Sequence, residues 1–124
     1  MKQEAHSRWL ISDMYYPSES VDGPIKSHEA ICILNTGDVP AKLKITLYFE
    51  DRDPVSLQTL SCGAKRTAHI RMDLVKTSDG TAVPSDTPYA AMVESDVTVS
   101  VQYSRADARQ KALAIMTTTA FPLN

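Results

Sequence analysis

A hydroxyl, an imidazole and a carboxylate stand side by side at Ser27-His28-Glu29. Such groups exchange protons, accept hydrogen bonds and bind metal ions. His69 adds a second imidazole, so His28, Glu29 and His69 form a possible metal-ligating set. The His-x-His followed by Glu that metal-holding jelly rolls use is missing, and histidines near strand ends also serve as simple hydrogen-bonding groups. Nucleophilic catalysis has little support. There is no Gly-x-Ser-x-Gly elbow, and neither Cys32 nor Cys62 is flanked by a histidine. The 4 glycines form neither a Gly-x-Gly-x-x-Gly turn nor a P-loop, and no cofactor is expected.

A second polar cluster is Gln102, Arg105, Asp107, Arg109 and Gln110, just past a strong strand pattern. Arginine offers a planar fork of donors, while Asp and Gln accept, so the cluster suits a hydroxyl-rich or acidic ligand. A solvated turn or a subunit contact would use the same residues. Trp9 and Tyr15-Tyr16 could stack on a sugar ring, although a lone Trp in a strand more often belongs to the core.

The elements that must position these groups are strands. Leu43, Ile45, Leu47 and Phe49 alternate with Lys42, Lys44, Thr46, Tyr48 and Glu50, which predicts a strand with one buried face. Asn35 to Pro40 predicts a reversal that pairs this strand with Ile31–Leu34 as a hairpin. Further strands are predicted at Arg8–Ser12, Val55–Leu60, Lys65–Met72, Ala90–Ser95 and Val97–Tyr103. Tyr15 to Lys26 and Leu74 to Pro88 read as loops, with turn signals at Asp22-Gly23-Pro24, Ser61-Cys62-Gly63-Ala64 and Asp79-Gly80. Arg105 to Met116 is ambiguous: its first half is rich in helix formers, yet Thr117-Thr118-Thr119 favours a strand. About eight short strands without a repeat period predict an all-β, antiparallel sandwich of jelly-roll type.

A chain of 124 residues reads as one domain, 1–124, with one core. The net charge of -2 argues against a nucleic-acid partner. No apolar run approaches a bilayer span, and Met1 to His6 lacks a leader's apolar centre, so a cytoplasmic location is expected. The cysteines read as two reduced thiols, Cys32 in the core and Cys62 in a turn. With only 6% aromatic residues the core is thin for so many strand edges, so an oligomer is expected.

An ordered set of residues carries a resemblance. It comprises Ser27-His28-Glu29, Cys32-Ile33-Leu34-Asn35, Gly37-Asp38, Ile45-Thr46, Tyr48, Asp51 and Pro54-Val55. Arg66-Thr67, His69, Arg71, Pro84, Asp86-Thr87, Gln102, Arg105, Asp107 and Arg109-Gln110 continue it. From about Trp9 to Ala120 the chain resembles the Anabaena sensory rhodopsin transducer family. The resemblance implies a jelly-roll-like sandwich, a cyclic homotetramer and a final strand after Gln110. It also implies a soluble cytoplasmic domain, either binding sugars or sugar-like metabolites or partnering a membrane photoreceptor. The matching polar positions His28, Glu29, Asn35, His69, Arg71, Gln102, Arg105, Asp107 and Arg109 are then the candidate ligand-binding residues. The loops Val21 to Lys26 and Lys76 to Thr81 differ from the transducer's, and loops are where partner choice usually resides. The expected function is non-enzymatic binding of a sugar or sugar acid. The alternatives are an adaptor on a membrane receptor and, third, a jelly-roll metalloenzyme.

Overall fold

The computed structural model describes residues 7–123; Met1 to His6, read above for a leader, and Asn124 lie outside the described residues. The strands are β1 (Arg8–Met14), β2 (His28–Asn35), β3 (Ala41–Phe49), β4 (Val55–Ser56) and β5 (Leu60–Cys62). They continue with β6 (Arg66–Arg71), β7 (Tyr89–Ser95), β8 (Ser100–Asp107), β9 (Ala114–Thr119) and β10 (Phe121–Leu123). Among the described residues there is no helix. One sheet has the order β10-β1-β7-β3-β4, with β5 also on β3; the other has the order β6-β2-β8-β9. Every pairing is antiparallel. The chain folds as the expected β-sandwich.

Alternation dictates what lies between the sheets. On β3, Leu43, Ile45 and Leu47 are buried while Lys42 and Lys44 are exposed. Ile31 and Ile33 on β2 and Val101 and Tyr103 on β8 face them from the second sheet, and all belong to one core cluster. Burying each such aliphatic side chain contributes about 1.5–3 kcal/mol. Trp9 and Tyr16 join that cluster, so neither ring is free to stack on a sugar.

Several expectations need correction. Ile31–Leu34 does not form a hairpin with β3. β2 pairs with β6 and β8, and β3 pairs with β7, β4 and β5. The Asn35–Pro40 connection crosses from one sheet to the other, because both strands bury their apolar faces against each other across the core. Val55–Leu60 splits into β4 and β5, both on the edge of β3. The strand expected at Val97–Tyr103 spans Ser100–Asp107 instead, so Arg105 and Asp107 are strand residues. The ambiguous stretch resolves as a turn followed by β9, where β-branched Thr117-Thr118-Thr119 pairs with β8 through Tyr103. The cysteine roles are exchanged: Cys62 is the buried thiol and Cys32 is half-buried. Glu29, Ile31, Ile33 and Asn35 take the inward positions of β2, which turns Cys32 outward.

Candidate functional site

Four strand ends and two loops meet at one end of the sandwich: the start of β2, the ends of β1, β6 and β8, and the loops at residues 15–27 and 72–88. Strand register brings the candidates together there. Glu29 lies opposite Arg105, His28 opposite Ala106 and Ala30 opposite Arg71. Arg109 and Asp107 follow on β8 and its turn. His28, Glu29, Arg71, Arg105, Asp107 and Arg109 therefore share this end. His69 and Gln102 flank Cys32 on the outer face of the second sheet and are exposed. Asn35 is fully buried at the far end of β2.

Glu29 is also fully buried, yet it faces the other sheet. Its Oε1 accepts the Tyr15 backbone N–H at 3.1 Å and the Tyr103 hydroxyl. Its Oε2 accepts the Tyr89 hydroxyl at 2.5 Å. Arg105 Nε donates to the Tyr103 hydroxyl at 2.9 Å, and Arg105 Nη2 reaches the Asp13 carbonyl and carboxylate at 3.3 Å. Burial raises the Glu29 carboxyl above its ordinary value; the tyrosine hydroxyls, the Tyr15 N–H and the Arg105 charge pull it back only in part. Burial likewise raises the Tyr89 and Tyr103 phenols, and the nearby carboxylate adds to the shift. Both phenols therefore stay protonated and serve as donors.

Beside this cluster opens a cleft of about 470 Å³, lined by Ser18, Ser20, Lys26, Ser27, Asp73 and Ser85 together with Tyr16 and Pro17. Its walls are held by specific bonds. Arg71 pairs with Asp73 in a two-point contact of 2.8 and 2.7 Å. Burial opposes ionisation of Asp73, but the Arg71 guanidinium outweighs it and holds the carboxyl below its usual range. Ser18 donates its N–H and hydroxyl to Asp86, at 2.9 and 2.5 Å. Asp86 adopts the left-handed region at φ 55, which Asp tolerates better than most residues. The Ser27 hydroxyl donates to the Glu19 carbonyl and accepts the Ala108 N–H, so Ser27 staples the loop to the end of β8 rather than standing free as a nucleophile. His28 is half-buried, with Nδ1 2.7 Å from the Lys26 carbonyl. Arg109 is clamped to Asp107 at 2.6 Å.

This arrangement can bind but is not assembled for metal chemistry. Among the described residues no three His, Cys, Asp or Glu side chains are placed to hold an ion. Glu29 points into the core while His69 lies exposed on the outer face. A second cavity of about 370 Å³ lies between the 49–56 and 77–84 segments. There Arg52 sits 4.7 Å over the Phe49 ring and is already paired with Asp51. Residue types alone missed Tyr89, Tyr103, Asp73 and Asp86. Tyr103 lies in a predicted strand, but nothing local marks it as a partner for a carboxylate 74 positions away.

Comparison with known proteins agrees with this architecture. The family described as Anabaena sensory rhodopsin transducer matches residues 4–122. Among solved structures, one titled Crystal Structure of Thermotoga maritima 1070 is 34% identical, with a TM-score of 0.81 and 96% of each chain covered. The Anabaena sensory rhodopsin transducer structure is 36% identical with a TM-score of 0.72, covering 87% of this chain and 94% of that one. No curated protein matches the sequence. With nearly its whole length matched and the same sandwich in both solved neighbours, the chain belongs to the Anabaena sensory rhodopsin transducer family.

Proposed function

We propose that this protein is a non-enzymatic, cytoplasmic, transducer-like domain that binds a small polar metabolite, a sugar or sugar acid, in the cleft between residues 16–27, Asp73 and Ser85. The cleft's lining carries the reading. Serine hydroxyls both donate and accept, Asp73 accepts, and Lys26 donates to a carboxylate. A polyhydroxylated ligand needs that mixture, and a cleft of about 470 Å³ falls in the range of small-molecule sites. A bound ligand stabilises the fold by RT ln(1 + [L]/Kd), about 2.7 kcal/mol at one hundred times Kd. A sugar and sugar-acid panel at millimolar concentration is expected to raise the melting temperature for at least one member, and Asp73→Asn is expected to abolish that rise. A flat response across the panel removes the reading.

Family membership favours a second role, in which four copies assemble and present a loop-bearing face to a membrane receptor. β9 supports the assembly: it is a sheet edge exposed along its whole length, with Ile115 68% accessible. Light scattering is expected to give four times the chain mass, and Ile115→Lys to shift it toward the monomer. Native membranes should then yield an integral membrane protein bound to the tetramer; a monomeric wild type that enriches none overturns this role.

A further inference from the structure

The cavity of about 370 Å³ between the 49–56 and 77–84 segments shares no lining residue with the cleft. Much of its wall is apolar: Phe49, Pro54, Val55, Ala82 and Pro84. Its lining holds two charged residues, Arg52 and Asp79, one of each sign. We propose that this cavity is a second binding site and takes a small apolar zwitterion, an α-amino acid with an apolar side chain. The proposal does not rest on what the cleft binds.

Each charge is fixed at one edge and open at the other. Arg52 Nε and Nη2 donate to Asp51 at 2.8 and 3.2 Å, and the guanidinium lies 4.7 Å over the Phe49 ring. Its Nη1 donates to none of the described residues, which leaves that end of the fork for a carboxylate. Phe49 is itself stacked on Tyr89, with ring centroids 5.9 Å apart, so the floor under Arg52 is held in place. Asp79 Oδ1 accepts the Thr77 hydroxyl, the Thr81 hydroxyl at 2.9 Å and the Thr81 N–H at 3.2 Å. Its Oδ2 accepts from none of the described residues, which leaves that oxygen for an ammonium. Other ligand classes lose one of these contacts. The Thr77 and Thr81 hydroxyls that a sugar would use are committed to Asp79 and to each other, 2.7 Å apart. A lone anion meets a guanidinium whose charge Asp51 already offsets, and Asp79 repels it. A lone cation gains Asp79 but is opposed by Arg52. A zwitterion satisfies both ends while its side chain covers the apolar wall. About 370 Å³ is at the small end of ligand sites, the scale of a single amino acid.

Titration of the whole, isotope-labelled chain with L-leucine, L-methionine and L-phenylalanine, followed by amide chemical shifts, tests this. At least one of them is expected to give saturable shifts at Val55, Ser56, Ser78 and Ala82, and none at residues 18–27 of the cleft. Glycine, which lacks the apolar part, is expected to bind much more weakly. The N-acetyl and carboxamide derivatives of the same amino acid, each missing one charge, are expected to lose about tenfold in affinity. Arg52→Gln is expected to weaken the parent by a similar factor yet leave its carboxamide unaffected, and Asp79→Asn to weaken the parent but not its N-acetyl form. No saturable shift with any of the amino acids overturns the proposal, as does saturation elsewhere on the molecule. A derivative that binds as tightly as its parent also overturns it, because one charge would then be idle. The derivatives need no variant, so they decide the matter even if Asp79→Asn disturbs the turn at residues 77–81.

Discussion

Replacing Glu29 with alanine lowers the free energy of unfolding by about 3–5 kcal/mol, and urea denaturation reads this as a lower midpoint at unchanged slope. The loss has two sources. The phenols of Tyr89 and Tyr103 and the Tyr15 N–H lose their shared acceptor, and each buried polar group left unpaired costs about 1–3 kcal/mol. The missing side chain also leaves a void in a fully buried position. Relief of the buried charge offsets part of this. Glu29→Gln keeps the shape but only one acceptor and sets its amide N–H2 against a buried donor, so its cost is about 1–3 kcal/mol, still below that of alanine. A loss below about 1 kcal/mol for Glu29→Ala would mean that the two phenols find other acceptors.

The same pair of variants fixes a sign. Because the folded-state carboxyl lies above its ordinary 4.5, the folded chain holds this proton more tightly than the unfolded chain. The stability it contributes is complete below about 4.5 and is lost as pH rises through the folded-state value. Glu29→Gln removes that decline. Asp73 and Asp107, held low, act oppositely: their contribution is present above their ordinary 3.8 and is lost as pH falls through their folded-state values.

Asn35 gives the second large effect and separates scaffold from site. Its Nδ2 donates toward the carbonyls of Val39 at 2.9 Å and of Cys62 and Gly63 at 3.2 Å each, and its Oδ1 accepts the Gly37 N–H at 3.0 Å. One buried amide thus joins the crossover between the sheets to the turn after β5. Asn35→Ala is expected to cost about 2–4 kcal/mol by thermal or urea unfolding. Asn35→Asp costs at least as much, since it sets an acceptor against three carbonyl oxygens. A folded Asn35→Ala protein should keep any ligand-induced rise in melting temperature, because the residue lies at the opposite end of β2 from the cleft. Loss of that rise at intact fold would return Asn35 to the binding residues.

The candidate site was legible only in outline. His28, Glu29, Arg71, Arg105, Asp107 and Arg109 do collect at one end of the sandwich, and Arg71 and Arg109 are fixed there by Asp73 and Asp107. His69 and Gln102 sit one strand either side of Cys32, on a surface the cleft does not reach. Residue type suggested a role for each of them, but the parity of each position along its strand decides which face it serves.

What the sequence by itself determined is local. Alternation in Lys42 to Phe49 and in Ser100 to Tyr103 sets strands and their inward faces, because successive side chains point to opposite sides of a pleated backbone. Asn, Gly and Pro between them set the reversals. What only the tertiary structure decided is which strands are neighbours and what Glu29 touches. A strand's pattern names its buried face but not the partner that hydrogen-bonds its edges, so β2 could have joined β3 as well as β6 and β8. That choice rests on two apolar faces closing on one core. The same closure brings Tyr89 and Tyr103, 60 and 74 residues away, onto a carboxylate that the sequence shows only as one polar residue among others.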